Sequence, residues 1–508
     1  MLTYSFENIG KEPLYTHLYK CMKEDILQGT LCAGERLPSK RALAKQLNIS
    51  TITIENAYAM LQTEGYIYSL PKKGYYVAEL SPSISDSQYH HVTITSSLPS
   101  TSISDPNIWS DNFKIKMPDK PYLIDFSSNQ TMRDNFPFST WTRLVRQVMA
   151  EQGEHLMKNA PAGGIYELRH AIASHLSAFR DMHVSPEQII IGAGTDYLYG
   201  LLIQLLGFNS IYAMENPGYE KIHHVYTAHG AKCIYIDLDQ DGMRVDLLEH
   251  CEANVLHISP SHHFPTGITM PISRRYELLA WAARQDNRYI IEDDYDSEFR
   301  LTGKPIPTLQ SIDRSERVIY MNTFTKSLAS TIRISYMVLP PTLLSQFYDK
   351  LGFYSCTVSN FEQYTLARFI KDGYYEKHIN RMRNAYRKKR NTLLDAIEAS
   401  RLSSIAYVTE EDAGLHFLLH IHSLLSEADI IRRADANGVR IKGLSGYYHN
   451  TADHNPQSVT WTPDITKKQT GKPSMTNQPV HSFVINYSNI DDSHIQEAVD
   501  ILYHAAIL

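Results

Sequence analysis

The sequence predicts a chain of more than one domain, with a small N-terminal α+β unit followed by a large α/β domain. The chain has 508 residues, which is too long for a single hydrophobic core. Helical periodicity and two strand-like runs occupy its start, whereas helical patterns alternate with short apolar runs over most of its length. The predicted boundaries place the N-terminal unit at 1–80, a linker at 81–120 and the large domain at 121–508.

The composition is that of a soluble globular protein, with 43% hydrophobic and 20% charged residues. The net charge of −6 does not exclude DNA binding, because phosphate contacts need only a local basic patch. Five dispersed cysteines without a CxxC pair favour a reducing compartment and offer no metal-ligand spacing. The start of the chain does not resemble a signal peptide, and no apolar run approaches the ~20 residues of a membrane span. We therefore expect a cytoplasmic protein with no membrane partner and no bound metal.

Three short helices and a hairpin are predicted in the N-terminal unit. Apolar residues recur at helical spacing from Leu14 to Ile26, and Gly29 can close that helix in a left-handed conformation. Ser39 and Ser50 are each placed to cap a following helix. The runs YIYSL and YYVAEL, joined by PKKG, read as a β-hairpin. This order of elements is that of a winged helix-turn-helix.

Two further regions differ in character. The stretch 81–120 is rich in Ser, Thr and Pro without periodicity, which is typical of a linker. From 121 onward the runs IIIGAG, SIYAMEN, NVLHISP, YIIEDDY and RVIYMNTF predict the strands of a mostly parallel sheet. The polar stretch 447–480 is predicted to be a loop insertion before a final strand, HSFVINYS.

The run GERLPSKRALAKQLNISTITIENAYAMLQTEGYIYSLPKKGYYV resembles the GntR family of winged-helix repressors, which implies binding to a double-stranded DNA operator. A helix capped at Ser50 would present Thr51, Ile52 and Thr53 to a major groove. The other candidate DNA contacts are Arg36, Ser39, Lys40, Arg41, Lys72, Lys73 and Gly74. The alternative is that these cations form only a solvated surface. The family usually has an arginine where this chain has Thr51, which leaves the operator sequence open.

The segment from about 125 to 345 resembles MocR/GabR-type regulators, in which a GntR head is fused to an aminotransferase-like body. The resemblance implies an α/β fold-type-I aminotransferase-like domain that binds pyridoxal 5′-phosphate (PLP). In the block YMNTFTKSLASTIRISYMVLP it implies Lys326 as the Schiff-base lysine, with hydroxyl donors on either side of it. These donors are Thr323 and Thr325. Arg333 would then bind the phosphate, for which a planar guanidinium is suited.

The remaining cofactor-binding candidates lie upstream. In YIIEDDYDSEF, the resemblance implies that Asp293 pairs with the pyridine nitrogen and that Tyr295 donates to the ring's phenolic oxygen. Tyr219 in ENPGYEK would stack on the ring. The run IIIGAGTDYLYG would place three residues at a helix N-terminus facing the phosphate: Gly194, Thr195 and Asp196.

Several ligand-facing positions depart from the family. The final strand lacks the arginine that clamps the substrate α-carboxylate in fold-type-I aminotransferases, and Lys221 stands where GABA-sensing members have a second arginine. Lys158 replaces a tyrosine that crosses from the partner subunit. Asp196 replaces a glutamine, and an aspartate beside a phosphate is unfavourable unless its side chain points away.

The ligand would then meet Lys221 or a histidine. The histidine candidates are His262, His263 and His481. The alternative is a clamp supplied by Arg433 or Arg440. In either case the sequence does not identify the effector.

Together these patterns predict a PLP-dependent, DNA-binding transcription regulator that senses an amine or amino-acid-like metabolite. The resemblance implies a homodimer in which each head lies over the partner's body. Two alternatives stay open. One is an active aminotransferase with a DNA-binding head, against which the missing arginine argues, and the other is a DNA-binding protein without PLP.

Overall fold

The computed structural model describes residues 4, 6, 12–79, 122–128, 135–301, 306–410, 412, 414–449 and 479–507. The chain separates into two compact units, with the boundary between Pro118 and Asp119. The predicted linker and most of the predicted insertion before the final strand lie outside the described residues. Among the helices that are described, none has the length and apolar character needed to cross a membrane.

The N-terminal unit contains three helices and a two-stranded antiparallel sheet, as predicted. They are α1 (Leu14–Leu27), α2 (Lys40–Leu47), α3 (Thr51–Thr63), β1 (Ile67–Leu70) and β2 (Gly74–Val77). Both predicted cap residues act as caps, because the Ser39 hydroxyl accepts from the Ala42 N–H at 3.2 Å and the Ser50 hydroxyl from the Thr53 N–H at 3.1 Å. Each bond satisfies an N–H group that has no partner inside its helix.

A small apolar core holds α3 in place. Ile54, Tyr58 and Leu61 recur along one face of α3 and are fully buried. The hydroxyl of Tyr58 donates to the backbone carbonyl of Pro38 at 2.9 Å, just before α2. The N-terminal turn of α3 is thereby fixed relative to α2, with Ser50 and Thr51 exposed to solvent.

The C-terminal unit is built on an eight-stranded sheet. Its strands are β4 (Ile189–Gly192), β5 (Ile211–Asn216), β6 (Lys232–Asp239), β7 (Gly242–Met243), β8 (Val255–Ile258), β9 (Tyr289–Asp293), β10 (Val318–Thr323) and β11 (Ser335–Val338). The order is β4-β11-β10-β9-β8-β5-β6-β7. Neighbours from β10 to β6 pair in parallel, whereas β11 and β7 run antiparallel to the strands beside them.

A second, four-stranded sheet follows later in the chain. Its strands are β12 (Ala406–Thr409), β13 (His416–His422), β15 (Lys442–Gly443) and β16 (Val480–Asn486), and their order is β12-β13-β16-β15. A separate short pair consists of β3 (Ile124–Asp125) and β14 (Val439–Arg440), which run parallel. The helices of this unit are α4 (Phe138–Glu151), α5 (Gly153–Leu156), α6 (Tyr166–Arg180), α7 (Thr195–Leu206), α8 (Glu220–Ala228), α9 (Val245–Glu249), α10 (Ile272–Ala283), α11 (Leu309–Ile312), α12 (Phe324–Ser327), α13 (Pro341–Leu351), α14 (Asn360–Lys371), α15 (Tyr374–Ala399), α16 (Glu427–Ala436) and α17 (Ile495–Ala506).

The predicted strands are confirmed where the sequence has continuous apolar runs. Ile290 and Ile291 of β9 are fully buried, as expected for a parallel strand covered on both faces. Ile189–Ile191 of β4 are fully buried as well, although β4 pairs antiparallel with β11. The sequence analysis did not identify β6, β11 or β13. The parallel strands all end at one edge of the sheet, which is where ligands bind in folds of this kind.

Candidate functional site

A cavity of about 260 Å³ lies at the carboxyl ends of β5, β8, β9 and β10. Residues of α7 and of the second sheet complete its lining. All the predicted cofactor-binding residues except Gly194 line this cavity, and so do the two predicted ligand-binding residues, Lys221 and His263. The folded chain thus brings together predicted residues that are up to 138 positions apart, from Thr195 to Arg333 (333 − 195).

Lys326 lies on the short helix α12, directly after β10. Its side chain borders the cavity and is only partly covered, yet desolvation by the surrounding protein lowers the pKa of its amine to about 8, against the opposing effect of Asp296. The Thr323 hydroxyl caps α12, accepts from the Ser335 hydroxyl at 2.8 Å and donates to the Thr325 hydroxyl at 2.8 Å. A lysine with a lowered pKa is more often neutral, which is the form that attacks a carbonyl carbon.

Asp293 is the last residue of β9 and is buried. Its Oδ2 atom accepts from the Tyr199 hydroxyl at 2.5 Å and from His257 Nε2 at 3.4 Å, and the Tyr226 hydroxyl donates to His257 Nδ1 at 2.7 Å. Its Oδ1 atom is buried and has no hydrogen-bond partner among the residues that the structure describes. An unpartnered carboxylate oxygen in a cavity is costly unless a ligand donor meets it.

One end of the cavity is suited to an anion. Gly194 precedes α7 with φ of 95°, and a Cβ atom there would lie 2.2 Å from Nη2 of Arg333. Only glycine therefore allows the guanidinium to approach the backbone at the start of α7. The helix N-terminus and the arginine both favour a phosphate at this place.

An aspartate beside a phosphate is unfavourable unless its side chain points away. The side chain of Asp196 does not point away from this end of the cavity. It accepts from Lys221 Nζ at 2.6 Å and from Arg333 Nη2 at 3.1 Å. The carboxylate is thus paired with two cations, which offset its negative charge, and it occupies Nη2 of Arg333. Lys221 in turn is engaged by Asp196 within the protein.

Aromatic and histidine side chains form the rest of the lining. The rings of Tyr219 and Phe264 meet edge to face, with centroids 5.5 Å apart. The Tyr295 hydroxyl lies 3.2 Å from His262 Nδ1, which is 2.9 Å from Asp296 Oδ2. His262, Asp296 and His416 are all buried and each offers one ligand atom within 4.8 Å of the others, a grouping that the sequence did not indicate.

His263, a predicted ligand residue, is held by its own turn. Its Nδ1 atom lies 2.7 Å from the Thr266 hydroxyl, and its Nε2 atom lies 3.4 Å from Glu215 Oε2. Burial lowers the pKa of His263 to about 3 and raises the pKa of Glu215 to about 8. Both groups are therefore expected to be neutral near pH 7, so neither provides a charge for a ligand.

The arginines considered as substitute clamps lie outside the cavity lining. Arg433 donates to the backbone carbonyl of Ala505 and to that of Ile507. Arg440 lies over the ring of Tyr122, with a guanidinium nitrogen 3.8 Å from Asp125. His481 and Lys158 do not line the cavity either, and Lys158 is exposed and paired with Glu154.

The candidate DNA contacts of the N-terminal unit differ in their exposure and in their contacts within the protein. Lys72 and Lys73 are exposed in the turn between β1 and β2, and Arg36 and Arg41 are exposed as well. Arg36 lies against the wing, with Nε 3.6 Å from where a Cβ atom of Gly74 would be.

Lys40 is the exception, because its amine pairs with Glu55 at 2.6 Å. Ile52, one of the three residues predicted to face the groove, is 69% exposed in the first turn of α3, between Thr51 and Thr53. An apolar side chain at that position can contact a thymine methyl group.

Sequence reasoning missed several residues of the cavity. Tyr199 could have been found, because it lies four residues after Thr195 on the same helix face. His257 lies at the end of a predicted strand, as Asp293 does. No sequence signal indicates His416 or Asn486, since they meet only through the pairing of β13 with β16.

Residues 121–437 match the family Aminotransferase class I and II, and residues 14–77 match the family Bacterial regulatory proteins, gntR family. The chain is 38% identical to the uncharacterized HTH-type transcriptional regulator YdeL of Bacillus subtilis, over 88% of this chain and 92% of that protein. It is 30% identical to the probable rhizopine catabolism regulatory protein MocR of Rhizobium meliloti, over 97% and 94% of the two chains.

The structure is also similar to solved aminotransferases. Pyrococcus horikoshii kynurenine aminotransferase in complex with PMP superposes with a TM-score of 0.62 at 22% identity, covering 76% of this chain and 91% of that one. The multiple substrate aminotransferase of Thermococcus profundus gives the same TM-score at 23% identity, covering 76% and 92%. These similarities confirm the predicted fold-type-I aminotransferase fold of the C-terminal unit.

The lowered pKa of Lys326 predicts how stability depends on pH in the protein without cofactor. Between about pH 8 and the usual lysine pKa, the unfolded chain holds a proton that the folded chain has lost, so the free energy of unfolding rises with pH there. Lys326→Met removes this contribution. The stability advantage of the variant over wild type should shrink as pH rises from 7 to 10, measured by urea denaturation. Lys232→Met, at an exposed lysine, is the control. A stability difference between Lys326→Met and wild type that stays constant from pH 7 to 10 would contradict the lowered pKa of Lys326.

Proposed function

Because the chain belongs to the family of HTH-type transcriptional regulators that join a gntR-family domain to an aminotransferase class I and II domain, we propose that it binds PLP in the cavity of its C-terminal unit. An amine or amino-acid-like effector then enters the same cavity and changes the affinity of the N-terminal unit for an operator. The two units thus divide sensing and DNA binding between them.

The observation that carries the cofactor proposal is the unpartnered Oδ1 of Asp293 in a cavity that also holds the Lys326 amine. PLP supplies an aldehyde that condenses with a primary amine, a phosphate dianion and a ring nitrogen that can carry a proton. The chain offers one matching group for each: Lys326 for the aldehyde, Arg333 with the start of α7 for the phosphate, and Asp293 for the nitrogen. The residues present therefore fit the cofactor.

The residues around these three groups orient them. Tyr199 and His257 donate hydrogen bonds to Oδ2 of Asp293. The other oxygen, Oδ1, is then available to a ligand. Tyr219 borders the cavity with its ring edge against Phe264, a position from which it can stack on a bound ring. Tyr295 lies beside Lys326 in the lining and supplies a hydroxyl for a ring oxygen.

The names of relatives support a regulator of small-molecule metabolism. Besides the rhizopine catabolism regulatory protein, the chain is 27% identical to the pyridoxine biosynthesis transcriptional regulator PdxR of Corynebacterium glutamicum, over 87% of this chain and 90% of that protein. We propose that this chain likewise acts in the cytoplasm, as a homodimer with each head over the partner's body, reading two half-sites.

The first test concerns Lys326. The purified protein should be yellow, and borohydride reduction should fix PLP to the peptide that contains Lys326, as found by mass spectrometry. Lys326→Ala should abolish the trapping. Equal trapping in the variant at another lysine would contradict the assignment. Sustained keto-acid turnover with glutamate and a keto-acid acceptor would identify an active aminotransferase instead of a sensor.

The second test uses two glycines at opposite ends of α7. Gly194 and Gly207 have φ of 95° and 96°, so an alanine is strained at either position, but only at Gly194 does the new Cβ meet Arg333. Gly194→Ala should weaken PLP binding about ten-fold or more, because it displaces a charged phosphate ligand. Gly207→Ala should keep wild-type affinity in the same absorbance titration. Equal losses in both variants would show that backbone strain alone is responsible.

The third test concerns DNA. Arg41→Ala should weaken operator binding by about 1–3 kcal/mol if the side chain reads a base. Lys73→Ala should weaken binding to all sequences alike and reduce the salt dependence of the affinity, as loss of a phosphate contact does. Lys232→Ala, an exposed lysine of the C-terminal unit, is the matched control. Full-length protein whose DNA affinity is independent of salt would contradict the electrostatic part of this proposal.

A further inference from the structure

A buried histidine and a buried carboxylate lie behind Tyr295. His262 follows β8 and is 4% exposed, and Asp296 follows β9 and is 3% exposed. The Nδ1 atom of His262 lies 2.9 Å from Asp296 Oδ2 and 3.2 Å from the Tyr295 hydroxyl oxygen. Tyr295 and Asp296 line the cavity, whereas His262 does not. One nitrogen atom behind the lining thus contacts both of these residues.

The contact between His262 and Asp296 decides what Nδ1 can do for Tyr295. At 2.9 Å a proton must lie between the nitrogen and the carboxyl oxygen, since two bare acceptors repel each other. Either Nδ1 carries that proton and donates it, or its single lone pair accepts it. In both cases Nδ1 has no lone pair left with which to accept the hydroxyl hydrogen of Tyr295.

The hydroxyl hydrogen of Tyr295 is therefore available to the cavity. Among the described residues, the Tyr295 hydroxyl has no hydrogen-bond partner other than His262. A hydroxyl oxygen can accept from an N–H group while its own hydrogen is donated elsewhere. The amine of Lys326 lines the same cavity, so a ligand held there can meet this hydrogen.

The second sheet keeps the pair together. Gly414 lies just before β13 with φ of 69°, and a Cβ atom there would collide with the His262 ring and lie 2.6 Å from Asp296 Oδ2. The ring of His416 packs beside that of His262, with centroids 4.6 Å apart. The absence of a side chain at Gly414 thus makes room for the contact between His262 and Asp296.

We propose that Asp296 and His262 are positioning residues that keep the Tyr295 hydroxyl a hydrogen-bond donor to the ring oxygen of PLP. The inference rests on the proposed binding of PLP to Lys326. The ring oxygen is more negative once the proton that it shares with the Lys326 nitrogen has left. A donor at this oxygen stabilises that form, and therefore lowers the pH at which the visible absorbance of lysine-bound PLP changes.

The test compares the effect of one substitution in several backgrounds of the full-length, PLP-loaded protein. Tyr295→Phe should raise the pH midpoint of the absorbance change by about one unit or more, the size expected for a hydrogen bond to a charged oxygen. In a His262→Phe or an Asp296→Ala background, the same substitution should shift the midpoint by less than about half as much. The charged groups that line the cavity are the same in both members of each pair, so they do not contribute to the difference.

A histidine outside the cavity lining provides the matched control. His420 is buried on β13, where its ring nitrogens contact the hydroxyl groups of Thr409 and Ser482. In a His420→Phe background, Tyr295→Phe should shift the midpoint as far as it does in the wild type. Thermal melting identifies the variants that are folded.

A pair of glycine variants tests the contact without removing His262 or Asp296. Gly414 and Gly230 have φ of 69° and 76°, so alanine is strained at both, but a Cβ atom at Gly230 meets no atom within 4 Å. Gly414→Ala should reduce the shift that Tyr295→Phe causes, because the new side chain separates His262 from Asp296. Gly230→Ala should leave that shift unchanged.

The outcomes separate this inference from the proposed function. A protein that carries PLP on Lys326, but in which Tyr295→Phe shifts the midpoint equally in all backgrounds or not at all, would overturn the inference and leave the cofactor proposal intact. Equal effects of Gly414→Ala and Gly230→Ala would overturn the role of the contact between His262 and Asp296. A protein without the absorbance of lysine-bound PLP would overturn the proposed function and the inference with it.

Discussion

The end of β9 is the constraint on which the site depends, because two neighbouring buried carboxylates there face opposite sides of the sheet. Asp294 pairs with Arg180 at 2.7 Å and accepts from the Tyr320 hydroxyl, away from the cavity. Asp293 lines the cavity, and its Oδ1 atom, like that of Asp294, has no hydrogen-bond partner among the described residues. A buried carboxylate is tolerated only when it is paired, so the ion pair of Asp294 fixes the strand end. The alternation of the strand then directs Asp293 to the ligand.

Charge in the cavity is organised by the same principle of pairing. Asp196 lies between Lys221 and Arg333, so the start of α7 carries one net positive charge from these three side chains. This end of the cavity is therefore less positive than a site with two free cations would be. The attraction for an anion comes mainly from Arg333 and the helix N-terminus. On the second sheet, His416 lines the cavity and is neutral, because burial lowers its pKa well below the usual value. The cavity thus has one end suited to an anionic group and a wall whose histidine carries no charge.

The sequence was sufficient for the elements and residues that local patterns define. The caps at Ser39 and Ser50, the strand runs of the large sheet and the residues at their carboxyl ends follow from periodicity and from short motifs. It was insufficient where function depends on pairing between distant segments. The engagement of Lys40 by Glu55 and of Lys221 by Asp196, and the meeting of His416 with Asn486, depend on tertiary distances that no local pattern contains.

In the proposed regulator, a ligand can shift the balance between two conformations only through contacts that differ between them. The large sheet carries Asp293 and the segment with Lys326 and Arg333, whereas the second sheet carries His416 and Asn486. An effector that reaches the cofactor and also contacts His416 or Asn486 would link the two sheets through one small molecule. A ligand that contacts only the large sheet has no such differential contact. The pair of strands β13 and β16 is therefore the place at which contact with an effector can become a change in the arrangement of the C-terminal unit.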